Sequence, residues 1–250
     1  MELIDITDPL DTSPGYISLN NYSISDYKNH GVLKAYEIIT NSSQVGASKI
    51  ALMLGADNIV TTYKEFGFSK PININFPSPT FGQINNRENM SDIEIANLGF
   101  GYGLDASPFQ IASAFAVFAN DGIYKEFSLV MNDEYMYKKQ VISKETANKI
   151  LFALRDVIEN GSGRKAKVPG FDIGGKTGTS HKSVKGGGYA KSIYTASFVG
   201  IAPLESKDLT IFVSIYQPGL NAYTGGEIAA PLFAEIASDT LNYLGYFESE

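Results

Sequence analysis

The 250-residue chain contains neither cysteine nor tryptophan. The missing cysteine excludes a disulfide framework, thiolate-ligated zinc and a cysteine nucleophile. It leaves the redox compartment open, because a cysteine-free protein suits any of them. Basic residues are in the minority, 20 Lys and Arg against 27 Asp and Glu, for a net charge of −7. Such a chain is poorly equipped to neutralise phosphates, so nucleic acid is not an expected partner. No polybasic run is available for anionic lipid. Long apolar runs are also missing. The best, Ile111 to Ala119, is interrupted by Ser113 and falls short of the about 18 residues of a membrane-spanning helix. The amino terminus is acidic and lacks the basic segment of a secretion signal. There is no His-x-x-x-His pair and no Asp-rich loop, so no metal or other cofactor is expected. The two histidines, His30 and His181, read as exposed loop residues.

What is present is a globular composition, 44% apolar and 19% charged. The length suits one large domain or two small ones with a sizeable core. Residues 1–31 are polar and rich in turn formers, and read as irregular chain. Residues 32–160 read as mainly helical, with helices at about 32–41, from Val45, and at about 57–66, separated from the next by a loop-rich stretch at 68–99. Ser107-Pro108-Phe109-Gln110 is the clearest helix start. Ser107 stands at the cap, Pro108 at the first helical position and Gln110 where a capping box places its acceptor. A further helix follows Ser143 and stops at Gly161. From Phe171 the apolar period changes. Phe171 to Ser180, Ala196 to Pro203 and Leu209 to Tyr216 read as strands, the last two as an antiparallel hairpin. Glu227 to Leu244 reads as an amphipathic helix packed on them. Helices around an antiparallel sheet over 171–244 make the expected fold class α+β.

Three segments carry residues with chemical potential. In Lys176-Thr177-Gly178-Thr179, alternation along a strand places Lys176 and Gly178 on one face and Thr177 and Thr179 on the other. Gly178 leaves room for a ligand to approach the backbone. A cation, two hydroxyls and exposed N–H groups suit an extended peptide and its carboxylate. The same triplet alone fits a strand with a solvated lysine. Ser42-Ser43-Gln44-Val45-Gly46 lies between helices, where helix capping is the plainer role for a serine. Phe100-Gly101-Tyr102-Gly103-Leu104 is a glycine-rich turn before a capped helix, and it lacks the residues of a phosphate loop.

In order, Ser-Ser-x-x-Gly, Gly-Tyr-Gly-Leu with Ser-Pro-x-Gln, and Gly-Lys-Thr-Gly-Thr resemble the penicillin-binding transpeptidase domain. The likeness is to class B members, and among them to the septal D,D-transpeptidases of cell division. It spans about residues 33–240. The resemblance implies a β-lactamase/transpeptidase-like fold. It also implies a serine enzyme that cross-links peptidoglycan stem peptides ending in D-Ala-D-Ala and is acylated by β-lactams. Ser42 would take the first position of Ser-x-Asn and relay a proton to the leaving amine, and Lys176 would stabilise charge and assist. Thr177 and Thr179 would bind the substrate carboxylate beside Gly178, and the Thr179 N–H would supply half of an oxyanion hole. Gln44 stands where the motif has Asn, with the amide kept but one methylene added. The alternatives are a non-catalytic module that binds stem peptides or division partners, and a β-lactamase or β-lactam sensor.

In this family a Ser-x-x-Lys helix precedes Ser-x-Asn by more chain than residues 1–41 provide. Ser25-Asp26-Tyr27-Lys28 matches the pattern, but it lies in a polar segment close to Ser42 and reads as chance. The expectation is therefore a C-terminal part of a longer enzyme, without the nucleophile helix, the first sheet strands and the membrane anchor, and inactive alone. The complete protein would sit in the cytoplasmic membrane with this part in the periplasm or outside the cell, among division-complex proteins. Without its usual neighbour, the strand at 209–216 would expose Ile211, Phe212, Val213 and Ile215 along an open edge, an aggregation hazard.

Overall fold

Apolar spacing and capping chemistry place most of the helices, and turn chemistry places the strands between them. The computed structural model describes residues 4–72, 81–85, 87–129, 137–183, 189–219 and 222–246. Within the loop-rich stretch, Pro77 and Pro79 lie outside the described residues. The chain forms two compact units, Met1–Val117 with Ile123–Ser143, and Phe118–Gly122 with Lys144–Glu250.

The first unit opens with β1 (Pro9–Asp11), β2 (Tyr16–Leu19), β3 (Tyr22–Ser25) and β4 (Val32–Lys34). β1 pairs antiparallel with β4, and β2 forms a hairpin with β3. This corrects the expectation of irregular chain over 1–31. The strands are too short for their alternation to stand out, but Asn20-Asn21 between them is a two-residue hairpin turn, with Asn20 at φ +54°. The helices α1 (Ala35–Asn41), α2 (Gln44–Leu54) and α3 (Ala56–Glu65) follow. Next comes α4 (Asp92–Leu98), inside the stretch read as loop. It is held by a capping box in which Ser91 donates from its hydroxyl (2.6 Å) and its N–H (3.0 Å) to the Glu94 carboxylate. The core of this unit joins Ala51, Ile59, Val60 and Leu98. Tyr63 is held beside them, its hydroxyl donating to the Leu98 carbonyl at 2.5 Å.

α5 (Pro108–Ala119) begins as expected. The Gln110 N–H donates to Ser107 Oγ (3.3 Å) and the Ser107 N–H to Gln110 Oε1 (3.0 Å). Gln110 is buried, and its amide also donates to the carbonyls of Gly67 and Lys70, each at 3.2 Å. A short hairpin of β5 (Ile123–Lys125) and β6 (Lys138–Gln140), absent from the sequence reading, completes the unit.

The second unit contains α6 (Lys144–Glu159), a 3-10 turn at Arg164–Ala166, β7 (Gly174–Ser183), β8 (Tyr189–Ala202), β9 (Leu209–Tyr216), a π-helical turn at Gly225–Ala229 and α7 (Ala230–Tyr243). The three strands form one antiparallel sheet in the order β7-β8-β9. β9 has the expected bounds, and β7 starts at Gly174 rather than Phe171; β7 runs on to Ser183 and β8 starts as early as Tyr189, because there the pairing holds polar residues that carry no apolar signal. His181 is therefore a half-buried strand residue whose ring lies 4.6 Å from that of Tyr194, not a loop histidine. His30 is also half-buried, edge-on to Tyr27.

Helices pack on both faces of this sheet. On one, Phe198 and Phe233 are fully buried with ring centroids 4.7 Å apart, and Gly200 is required because a Cβ there would lie 2.6 Å from the Phe233 ring. α7 lies on this face. On the other, a Cβ at Gly174 would lie 3.3 Å from that of Leu154 on α6. Burying each such aromatic stabilises the unit by about 1.5–3 kcal/mol. Among the described residues, β9 pairs only with β8. Helices packed on an antiparallel sheet bear out the α+β reading.

Candidate functional site

Ser42 and Gln44 belong to the first unit, and Lys176, Thr177, Gly178 and Thr179 to the second. The structure separates the roles of the adjacent serines. Ser43 is the structural one. It is buried, its oxygen accepts the Gly46 N–H at 2.9 Å as the cap of α2, and its hydroxyl donates to the Asp26 carboxylate at 2.6 Å. Asp26 also accepts the Val45 N–H at 3.1 Å. Ser42 is exposed and ends α1 in the left-handed conformation, φ 54° and ψ 42°. Helices commonly end in this conformation, but usually with glycine, because a Cβ is strained there. The capping role weighed for Ser42 thus falls to Ser43, and Ser42 holds a strained position that its side chain does not need for capping α2. Gly46 explains the glycine of Ser-Ser-x-x-Gly, since a Cβ would lie 2.8 Å from the Ile38 side chain. Gln44 is exposed at the first turn of α2.

Lys176 to Thr179 lie on β7, an edge strand within its unit. Lys176 pairs with Val199 and Gly178 with Ser197 across to β8. Lys176 is half-buried, its ammonium donates to the Thr177 carbonyl at 3.2 Å, and burial pushes its pKa down to about 8. A lysine so placed still carries its charge at neutral pH but gives up a proton far more readily than a solvated one. On the opposite face the Thr179 hydroxyl oxygen accepts the Gly225 N–H at 3.0 Å. Thr177 Oγ1 lies 2.6 Å from Ser162 Oγ. Gly225 packs flat on the strand, since a Cβ there would meet the carbonyls of Ser197 at 2.3 Å and Gly178 at 2.4 Å. At Gly178 the one close neighbour of an ideal Cβ is Ser197 Oγ at 2.5 Å, the end of a side chain that can rotate away.

Ser162 was missed by the sequence reading. A signal existed: Ser162-Gly163-Arg164-Lys165 is a second Ser-x-x-Lys. It does not form a helical serine–lysine pair, because Ser162 lies in the turn after α6 and its hydroxyl is bonded to Thr177. Lys165 is exposed, and its charge acts on Glu227. Ser25, in the other Ser-x-x-Lys, is exposed at the end of β3, where Lys28 sits over the Tyr27 ring at 5.4 Å. Among the described residues no cluster of three or more His, Asp or Glu is placed to hold a metal ion, and no helix is long and apolar enough to cross a membrane.

With this arrangement in view, residues 3–238 match the family model described as the penicillin binding protein transpeptidase domain. The chain belongs to this family. The class B recognition made from the three motifs agrees with the relatives. The chain is 33% identical over 241 residues to the probable peptidoglycan D,D-transpeptidase PbpC of Pseudomonas aeruginosa, covering 96% of this chain and 42% of that protein. It is 31% identical over 228 residues to the peptidoglycan D,D-transpeptidase FtsI of Buchnera aphidicola subsp. Schizaphis graminum, covering 91% of this chain and 40% of that protein. The apo TP domain of penicillin-binding protein 3 from Burkholderia pseudomallei superposes with a TM-score of 0.92 at 31% identity, over 99% of this chain and 75% of that one. This transpeptidase-family chain therefore spans about two fifths of the length of these two curated relatives.

Proposed function

We propose that residues 1–250 carry the proton-relay and carboxylate-binding part of a serine D,D-transpeptidase that cross-links peptidoglycan stem peptides. The observation that carries this reading is Lys176-Thr177-Gly178-Thr179 on an edge strand, with a half-buried lysine on one face and two ordered threonine hydroxyls on the other. A stem peptide is extended and ends in a carboxylate, so a strand edge with hydroxyl donors suits it. Thr177 and Thr179 donate to that carboxylate, and the Thr179 N–H stabilises the oxyanion as it forms. The Lys176 ammonium stabilises developing charge. Ser42, exposed where α1 ends, relays a proton between the general base and the leaving amine. Gln44 offers the amide that the family's Asn supplies, with one more rotatable bond. β-Lactams occupy the same groups as substrate mimics.

Among the described residues neither Ser25 nor Ser162, the serines of the two Ser-x-x-Lys sequences, lies on a helix, so the acylating serine is assigned to a Ser-x-x-Lys helix elsewhere in the complete protein, and residues 1–250 alone are expected to be inactive. The complete protein acts at the division septum with division-complex partners, anchored in the cytoplasmic membrane, with this part in the periplasm or outside the cell. Labelling with fluorescent penicillin tests the chemistry. The complete protein takes up one covalent label, and mass spectrometry finds it on a serine outside residues 1–250. Residues 1–250 alone remain unlabelled. Absence of label on the complete protein overturns the enzymatic reading and favours a binding module, whereas rapid turnover of the label favours a β-lactamase. A label on Ser25 or Ser162 overturns the assignment of the nucleophile.

A further inference from the structure

The sheet face that carries Thr177 and Thr179 is fastened by two turns. Thr179 Oγ1 accepts the Gly225 N–H at 3.0 Å. Thr177 Oγ1 meets Ser162 Oγ at 2.6 Å. The two fasteners are themselves in contact, because Gly226 packs on the Ser162 carbonyl, which lies 2.5 Å from its ideal Cβ, and beside Thr177 Cγ2 at 3.7 Å. Ser162 is also held from the α6 side. The N–H groups of Gly161 and Gly163 donate to the Val157 carbonyl at 3.2 and 3.0 Å, and buried Gly163 leaves no space for a side chain against Ile158. The position of the Ser162 hydroxyl is thus set by backbone on both sides, while the hydroxyl itself stays at an exposed surface.

A hydroxyl has one proton to donate and can accept two, and a carboxylate only accepts. In the Ser162–Thr177 pair one oxygen must therefore donate to the other. If Thr177 gave its proton to Ser162, it would face a carboxylate with lone pairs. If Ser162 donates, Thr177 keeps its proton for the ligand. Thr179 already shows the second pattern, since its oxygen is occupied by an N–H donor and its own proton is left to point elsewhere. We infer that Ser162 is a positioning residue that donates to Thr177 and so turns the Thr177 proton toward the carboxylate of the bound peptide or β-lactam. The inference rests on the transpeptidase reading above and adds to it a residue outside the three motifs. It gives Ser162 a part in selectivity for anionic ligands and no part in bond making.

The test uses the complete protein and two probes, a penicillin and its methyl ester, which differ only in the carboxylate. Second-order acylation rates are measured for the wild type, Ser162→Ala, Ser162→Thr and Ser162→Val. The last two have the same shape and differ in the hydroxyl, so any folding defect from bulk is common to both. Wild type favours the free acid. Ser162→Ala and Ser162→Val lower the free-acid rate at least about tenfold, the scale of one misdirected hydrogen bond to a charged group, and leave the ester rate within twofold. Ser162→Thr restores the preference. In a Thr177→Val background the Ser162 substitutions have no further effect. Equal losses on both probes, or an unchanged ratio of acid to ester, overturn the inference while leaving the transpeptidase reading intact. A wild type that neither probe acylates overturns that reading, and this inference with it.

Discussion

Replacing Ser42 by glycine should make the protein more stable and less active. Ser42 holds φ 54° and ψ 42° at the end of α1. A Cβ in this conformation costs roughly 1–2 kcal/mol. Glycine removes that strain but adds freedom to the unfolded chain, which costs about 0.4–1 kcal/mol. The difference is a net gain of about 0.5–1 kcal/mol, or a rise in melting temperature of roughly 1–4 °C for a protein of this size. Loss of the hydroxyl removes the proposed proton relay, whose contribution is on the order of 10²–10⁴ in rate. Ser42→Ala serves as the control, since it loses the same hydroxyl and keeps the strain, so its melting temperature should not rise. Calorimetry or a circular dichroism melt, with penicillin acylation on the same samples, reads both quantities. If Ser42→Gly keeps the wild-type acylation rate, the relay assignment is wrong. If it melts below wild type, the strained serine is supported by contacts worth more than the strain.

Four further outcomes are expected. Burial lowers the Lys176 pKa from 10.5 to about 8, so acylation should fall as pH rises through about 8, and a profile flat from pH 7 to 9.5 would remove the lysine from charge stabilisation. The same shift has a stability side: between about 8 and 10.5 the unfolded chain binds the proton that the folded one has lost, so stability rises with pH across that window, and Lys176→Met should raise the melting temperature at pH 7 with a gain that shrinks toward pH 10.5. Gly225→Ala drives a methyl into the backbone carbonyls of Ser197 (2.3 Å) and Gly178 (2.4 Å), and should cost about 1–3 kcal/mol by overpacking, whereas Gly219→Ala, with nothing within 4 Å, should be neutral in the same melt. Residues 1–250 produced alone should self-associate through β9, where Ile211, Phe212 and Ile215 are only partly covered; Phe212→Lys should reduce light scattering, and a monodisperse wild-type fragment would contradict this.

The helices were legible where a cap and an apolar stripe coincide, as at Ser107–Gln110 and after Ser143. α4 had an equally legible box, Ser91-Asp92-Ile93-Glu94, but it follows a run of turn residues and lasts only two turns, so its apolar stripe is too brief to register. β1 to β4 escaped for a similar reason, because three or four residues cannot display a period, and their pairing with each other is not a local property. The site was legible as order, three short motifs in sequence, rather than as chemistry. What the motifs could not reveal is which of two adjacent serines is the cap. That depends on Asp26, brought to Ser43 by the β2–β3 hairpin. The tie between Ser162 and Thr177 was hidden for the same reason, since it depends on how the turn after α6 returns to the sheet.

The central claim is that the Ser42 turn and the Lys176–Thr179 strand serve one reaction, and release of D-alanine from a stem-peptide mimic by the complete protein tests it most directly. Single Ser42→Ala and Lys176→Ala variants should each lower kcat by at least about a hundredfold without loss of fold, and the double variant should be no more than slightly worse than either, as for groups that act together. Wild-type release by either variant, or losses that multiply in the double variant as for independent sites, would contradict it.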